Sequence, residues 1–197
     1  LLKLFNVEFV ATTDDPIDSL SDHKKYDNTT VAPTFRPDKL YNFESSYIEE
    51  LAKASGIKIE TLEDYEKALS LRLDHFVSTG CKISDHGFSD FPKSFASHEE
   101  AEKLFINREN LTATEKDSLL GYLFLFLFKE YKKRNIVVQL HFAFTRNINS
   151  KMFEKLGPDH GFDVIVKECD VEACIKFLDQ LSDEERPTII LYTLNPN

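Results

Sequence analysis

Apolar residues along this chain gather in five short runs, and each run breaks off into a polar cluster. Val7 to Ala11 ends in Thr12-Thr13-Asp14-Asp15-Pro16, and Thr30 to Phe35 ends in Arg36-Pro37-Asp38. Cys81 to Ile83 ends in Ser84-Asp85-His86-Gly87, and Ile136 to Leu140 ends in His141, with Arg146-Asn147 close behind. Thr188 to Tyr192 ends in Asn195-Pro196. Apolar runs of this length bounded by turn-forming residues read as buried strands. A buried strand whose carboxyl end carries functional side chains is how parallel α/β proteins build their sites. The pattern therefore predicts a row of parallel strands presenting Asp, Arg, His, His and Asn along one rim.

Between the runs the period lengthens to that of a helix. Asn42 to Ala54 places Phe43, Tyr47, Ile48 and Leu51 on one face, with Gly56 as its C-cap. Thr61 opens a capping-box-like start, and the helix runs to about Thr79 with Leu62, Tyr65, Leu69, Leu73 and Phe76 inward. Further helices are expected over Ser97–Phe105, from Thr112 or Thr114 to Lys133, over Asn149–Leu156 and over Val171–Leu181. Phe124-Leu-Phe-Leu-Phe reads as a helix buried on nearly all sides, and Leu1 to Phe5 as the tail of a preceding helix. Asp15 or Asp18 is expected to cap a short helix through His23, and Tyr26 to Thr29 to turn. Pro33 inside a strand run implies a bulge or irregular pairing. The resulting order, β-β-α-α-β-α-α-β-α-α-β, implies an α/β protein with a parallel sheet, either open or forming most of a barrel.

Charge and cysteine content narrow the function classes. The net charge of −10 argues against nucleic acid and against an anionic membrane surface. An acidic chain that binds an anion needs local cations, and Arg36 and Arg146 stand at strand ends. The longest apolar stretch, Leu119 to Phe128, is interrupted by Gly121 and falls short of the roughly 20 residues that span a bilayer. Cys81, Cys169 and Cys174 lack CxxC spacing and read as free buried thiols, which suits a reducing, cytoplasmic setting. The chain opens without Met and directly before a strand, and is expected to be cut from something longer.

The candidate chemistry leaves alternatives open. Period-two alternation puts Gln139 and His141 on one face and Leu140 on the other, so His141 is a site residue or a core histidine. Asp85-His86-Gly87 offers a metal ligand, a histidine oriented by a carboxylate, or a plain turn before a loop. Arg36 is a fork for a carboxylate or the partner of Asp14, Asp15 or Asp38 in an ion pair. Asp14 and Asp15 are paired acids or helix caps. Asn195 lines the same rim or starts a turn. There is no glycine-rich phosphate loop, G-x-S-x-G, H-E-x-x-H or Cys/His zinc cluster.

The strand-end segments taken together resemble the bacterial uronate isomerases. They are residues 7–20 (VEFVATTDDPIDSL), 33–39 (PTFRPDK), 80–87 (GCKISDHG), 139–141 (QLH) with Arg146-Asn147, 155–163 (KLGPDHGFD) and 190–196 (ILYTLNP). No single motif is decisive, but the ordered set runs through essentially all 197 residues. The resemblance implies a member of the amidohydrolase superfamily and a metal-bearing (β/α)8 barrel. It also implies aldose–ketose isomerisation of D-glucuronate to D-fructuronate and of D-galacturonate to D-tagaturonate. His141 would be metal-proximal on the sixth strand, and Arg36, with Arg146, would contact the sugar acid. Asp85, His86 and Asn195 would line the site. The family's first-strand His-x-His pair and last-strand Asp are missing. The resemblance thus makes residues 1–197 the central part of one barrel domain, roughly strands three to seven, inactive alone. A divalent ion, zinc or similar, would belong to the full-length enzyme, and this piece need not carry it. Homo-oligomers or self-association through open sheet edges are expected. The rival readings are another metal-dependent hydrolase of the superfamily and a non-catalytic α/β module.

Overall fold

A computed structural model describes residues 1–157, 160–165 and 170–193. The predicted alternation is present. β1 (Phe9–Ala11) pairs in parallel with β3 (Thr29–Ala32), while β4 (Ile83–Gly87), β5 (Val137–Phe142) and β8 (Ile189–Thr193) form a second parallel set. Phe35 joins the two sets. Its N–H donates to the Ile83 carbonyl and its own carbonyl accepts from Asp85 N–H, and it also bridges to Asp14. Pro33 is the reason for this interrupted form, since it lacks the N–H a continuous strand would use. The five parallel strands thus stand side by side in chain order, and among the described residues they do not close into a barrel.

Helices cover one face of the row. α1 (Ser45–Ser55) ends at Gly56 in the left-handed region, as expected. α2 (Leu62–Ser78), α3 (His98–Ile106) and α4 (Ala113–Lys133) each open with a capping box, on Thr61, Ser97 and Thr112. α5 (Ser150–Leu156) and α6 (Val171–Asp179) are capped by Asn149 and Asp170. The aromatic run of α4 forms the centre of the core. Phe124 and Phe128 are fully buried, and Phe128 meets Phe177 of α6 edge to face at 4.8 Å. Gly121 is required by a close approach, because a Cβ there would run into the Ser94 carbonyl. Arg72 sits among the apolar positions of α2 and is buried all the same. Its guanidinium donates to the carbonyls of Pro16 and Asp18 at 2.6 Å each, and so pins the loop after β1.

Several expectations need correction. Residues 81–82 are not strand. β4 begins at Ile83 and takes in the whole polar cluster Ser84-Asp85-His86-Gly87, because the burial of Ser84 and His86 against α4 replaces the usual apolar signal. Leu1 to Phe5 form turns, and no helix runs to His23. Instead Asp15 and Asp18 accept backbone N–H bonds within a turn. The predicted turn at Tyr26–Thr29 is the tip of a hairpin, β2 (Lys25–Tyr26) pairing antiparallel with β3 across Asp27 at φ 50°. The helix expected from Asn42 is split into a 3-10 turn over Asp38–Asn42 and α1, with Phe43 left-handed between them. A short ribbon, β6 (Phe144–Thr145) with β7 (Val164–Ile165), has no counterpart in the hydrophobic pattern. Cys81 is a free, buried thiol and Cys174 is buried; Cys169 and Asn195 lie outside the described residues.

Candidate functional site

The site is assembled at the carboxyl ends of the parallel strands, starting from Phe35. This ring is fully buried and packs edge to face on Phe76 at 5.0 Å. Anchoring it fixes where Arg36 leaves the sheet. Pro37 then turns the chain into the 3-10 segment, which brings Asp38 back beside Arg36. Arg36 Nε donates to Asp38 Oδ2 at 2.9 Å, and Nη1 donates to Asp85 Oδ2 at 2.9 Å. Burial alone would lower the Arg36 pKa. The charges of Asp38 and Asp85 outweigh it, so the guanidinium is held charged more firmly than usual.

β4 and β5 supply the next layer. Asp85 lies opposite Gln139 and Gly87 opposite His141 in the parallel register. Alternation along β5 is as expected, with Val138, Leu140 and Phe142 buried and Val137, Gln139 and His141 facing the open side. His141 Nε2 lies 3.0 Å from Asp85 Oδ1, without the alignment of a hydrogen bond, and its ring stacks on Tyr192 of β8 at 4.6 Å. Arg146 follows β6. It lies against the Phe144 ring at 4.8 Å and reaches Asp163 at 3.4 Å and Asp38 at 4.0 Å.

Two clefts meet at these arginines. A polar one of about 820 Å³ is bordered by Asp14, Asp15, Asp18 and Lys39. A more apolar one of about 570 Å³ is bordered by His141, Phe142, Phe144, Leu191 and Tyr192. Arg36 and Arg146 line both. The arrangement suits a small molecule with an anionic end and a hydroxylated body.

His86 does not line this site. Asp85 and His86 are consecutive strand residues, so their side chains take opposite faces. The His86 ring is completely buried between β4 and the helices, near Phe124, Phe128 and Tyr131. Its Nδ1 shares a 2.5 Å hydrogen bond with the Tyr41 hydroxyl. Burial, helped by the charge of Arg36, pushes its pKa down to about 3. Asp14 and Asp15 are neither free acids nor helix caps. Asp14 accepts from Thr12 at 2.6 Å and faces His23, and Asp15 accepts from the Tyr47 hydroxyl and pairs with Lys39 at 3.0 Å. Asp38, Gly87 and Tyr192 escaped the sequence reading as site residues. The sequence offers Asp38 only as one of three ion-pair partners for Arg36, and it is the one of those three that pairs with it.

Comparisons with known proteins give the family and the fold. The glucuronate isomerase family model matches residues 1–197. The chain belongs to the glucuronate isomerase family. It is 44% identical to the uronate isomerase of Caldanaerobacter subterraneus over 209 residues, covering 100% of this chain and 45% of that protein. Its fold matches the crystal structure of Thermotoga maritima uronate isomerase with a TM-score of 0.91 at 28% identity, covering 99% of this chain and 46% of the other. The Caulobacter crescentus glucuronate isomerase gives 0.89 at 28% identity, covering 98% and 43%. The chain spans a little under half the length of these relatives.

Among the described residues no three or more His, Cys, Asp or Glu side chains gather closely enough to hold a metal ion. A divalent ion takes at least four ligands. By themselves these residues do not make a metal centre. No helix among the described residues is long and apolar enough to cross a membrane.

Proposed function

We propose that the protein carrying this chain interconverts aldose and ketose forms of hexuronates, D-glucuronate with D-fructuronate and D-galacturonate with D-tagaturonate. The observation that carries this reading is the pair Arg36 and Arg146 standing between two clefts, above Asp85 and His141, in a chain of the glucuronate isomerase family. A cation here has a reason in an otherwise acidic chain, since the substrate's carboxylate needs one.

In this reading the chain is the middle of a (β/α)8 barrel. Parallel neighbours in chain order suit a singly wound barrel, whereas a doubly wound sheet reverses its order at the switch point. The open faces of β4 and β5 then point into the barrel. Arg36 holds the uronate carboxylate, with Arg146 on the other side. Asp85 keeps Arg36 oriented through Oδ2 and lies beside His141 Nε2 through Oδ1. The His141 ring is stacked on Tyr192 beside Asp85, and it would add one ligand to a divalent ion whose remaining donors would come from elsewhere in the protein. Such an ion, when bound, polarises a carbonyl or hydroxyl oxygen as a Lewis acid. The reacting proton moves between adjacent carbons at the other end of the sugar from the arginines.

The test is Arg36→Lys in the protein at the length of its relatives. An ammonium cannot reproduce the guanidinium fork, so KM for D-glucuronate should rise by about tenfold or more. Unchanged kinetics in a folded variant would take Arg36 out of the site.

A further inference from the structure

Gly87 closes β4 in extended backbone, with no positive φ that would demand glycine. Its reason is space. A Cβ built there would stand 2.8 Å from Arg36 Nη2 and 2.8 Å from Arg146 Nη2, and 3.1 Å from Asp38 Oδ2. Both guanidinium groups therefore reach over one point of the strand, and the missing side chain is what lets them meet there.

The backbone of Gly87 contributes as well. Its N–H donates to Asp38 Oδ1 at 3.0 Å. That bond fixes the carboxylate whose other oxygen accepts from Arg36 Nε and lies 4.0 Å from Arg146. Arg36 spends Nε on Asp38 and Nη1 on Asp85, and its Nη2 makes no hydrogen bond among the described residues. Two like charges this close repel, and the three aspartates Asp38, Asp85 and Asp163 hold them in place.

We propose that Gly87 is a positioning residue for substrate binding: its bare Cα lets the Nη2 atoms of Arg36 and Arg146 converge into one seat for the uronate carboxylate. This rests on the hexuronate reading above. It adds that the seat needs both arginines and is set by a residue that touches the substrate with no side chain of its own. A glycine needed for the fold would clash with backbone, as Gly121 does. Gly87 would clash only with the far ends of flexible side chains, so alanine there moves the arginines and leaves the strand.

The experiment is Gly87→Ala, alone and with Arg146→Ala, in the full-length protein with D-glucuronate as substrate. The single variant should fold, with KM raised about tenfold or more and kcat changed far less, since a carboxylate seat binds ground state and transition state alike. In the Arg146→Ala background half of the clash is gone, so adding Gly87→Ala should raise KM by only about twofold. Equal KM effects in both backgrounds, or no KM effect at all, would overturn the proposal. If Gly87→Ala alone fails to fold, folding restored by Arg146→Ala shows the same clash, and failure of both overturns it. A crippled Arg36→Lys beside a normal Gly87→Ala sinks this inference and spares the hexuronate reading. A normal Arg36→Lys sinks that reading first.

Discussion

The two faces of the β4–β5 pair carry one histidine each, and the two have opposite fates. On the helix-covered face, His86 is buried to the last atom among aromatic rings, neutral, and tied to a tyrosine. On the open face, His141 keeps 45% of its side chain exposed and stands beside a carboxylate and an arginine. Both end apolar runs in the sequence, and both looked like rim residues. The difference is one residue of strand register, and a one-residue shift moves a side chain to the other face. A histidine becomes available to chemistry here by facing charge and water, and becomes packing when it faces α4.

That contrast can be broken from the packed side first. Phe128→Ala removes a ring that touches His86, Tyr131 and Phe177, and should cost about 3–5 kcal/mol in urea unfolding. A cost near zero would mean that the helix-covered face is not the core. From the open side, His141→Asn in the full-length protein should lower turnover about a hundredfold, roughly 3 kcal/mol of barrier, while the melting temperature holds. Equal, mild losses of activity and stability would make His141 a packing residue like His86.

The third prediction uses pH. His86 has its pKa depressed from 6.5 to about 3 in the folded chain. The unfolded state therefore binds the extra proton first. Stability attributable to His86 is full above about pH 6.5 and is lost as pH falls toward 3, by at most about 1.4 kcal/mol per pH unit. His86→Phe should flatten the stability profile across that window, and an unchanged slope would reject a buried neutral imidazole. The smallest effect is expected at His75 on α2, whose ring meets the Ser19 carbonyl at 3.2 Å and the Phe76 ring at 6.5 Å. His75→Asn should change stability by less than about 0.5 kcal/mol and leave turnover alone.

The sequence was a good guide wherever one local signal dominates. Thr61 and Gly56 announced helix ends through their own hydrogen-bonding and backbone chemistry and stand where expected, and of the two threonines offered as cap for α4 it is Thr112 that serves. The alternation Val138, Gln139, Leu140, His141 announced the faces of β5. It misled where polar residues took apolar places. Ser84 and His86 hid the greater part of β4, whose strand was expected to end at Ile83, and Arg72 lies buried on the inward side of α2 because three carbonyls of other segments receive it. The ribbon of β6 and β7 was invisible because two residues per strand carry no period.

By itself, then, the order of residues determined an α/β chain of parallel strands, the family it resembles, and the places of Arg36, Asp85 and His141 at or just after strand ends. Those properties follow from local periodicity, capping and composition, which need no partner segment. Only the tertiary structure decided that Asp85 joins Arg36, that Tyr192 backs His141, that His86 is turned away, and that Gly87 leaves the space in which two arginines meet. Each of these depends on a contact between segments far apart in the chain. Such contacts are set by strand register and helix packing, and neither is written in any one segment.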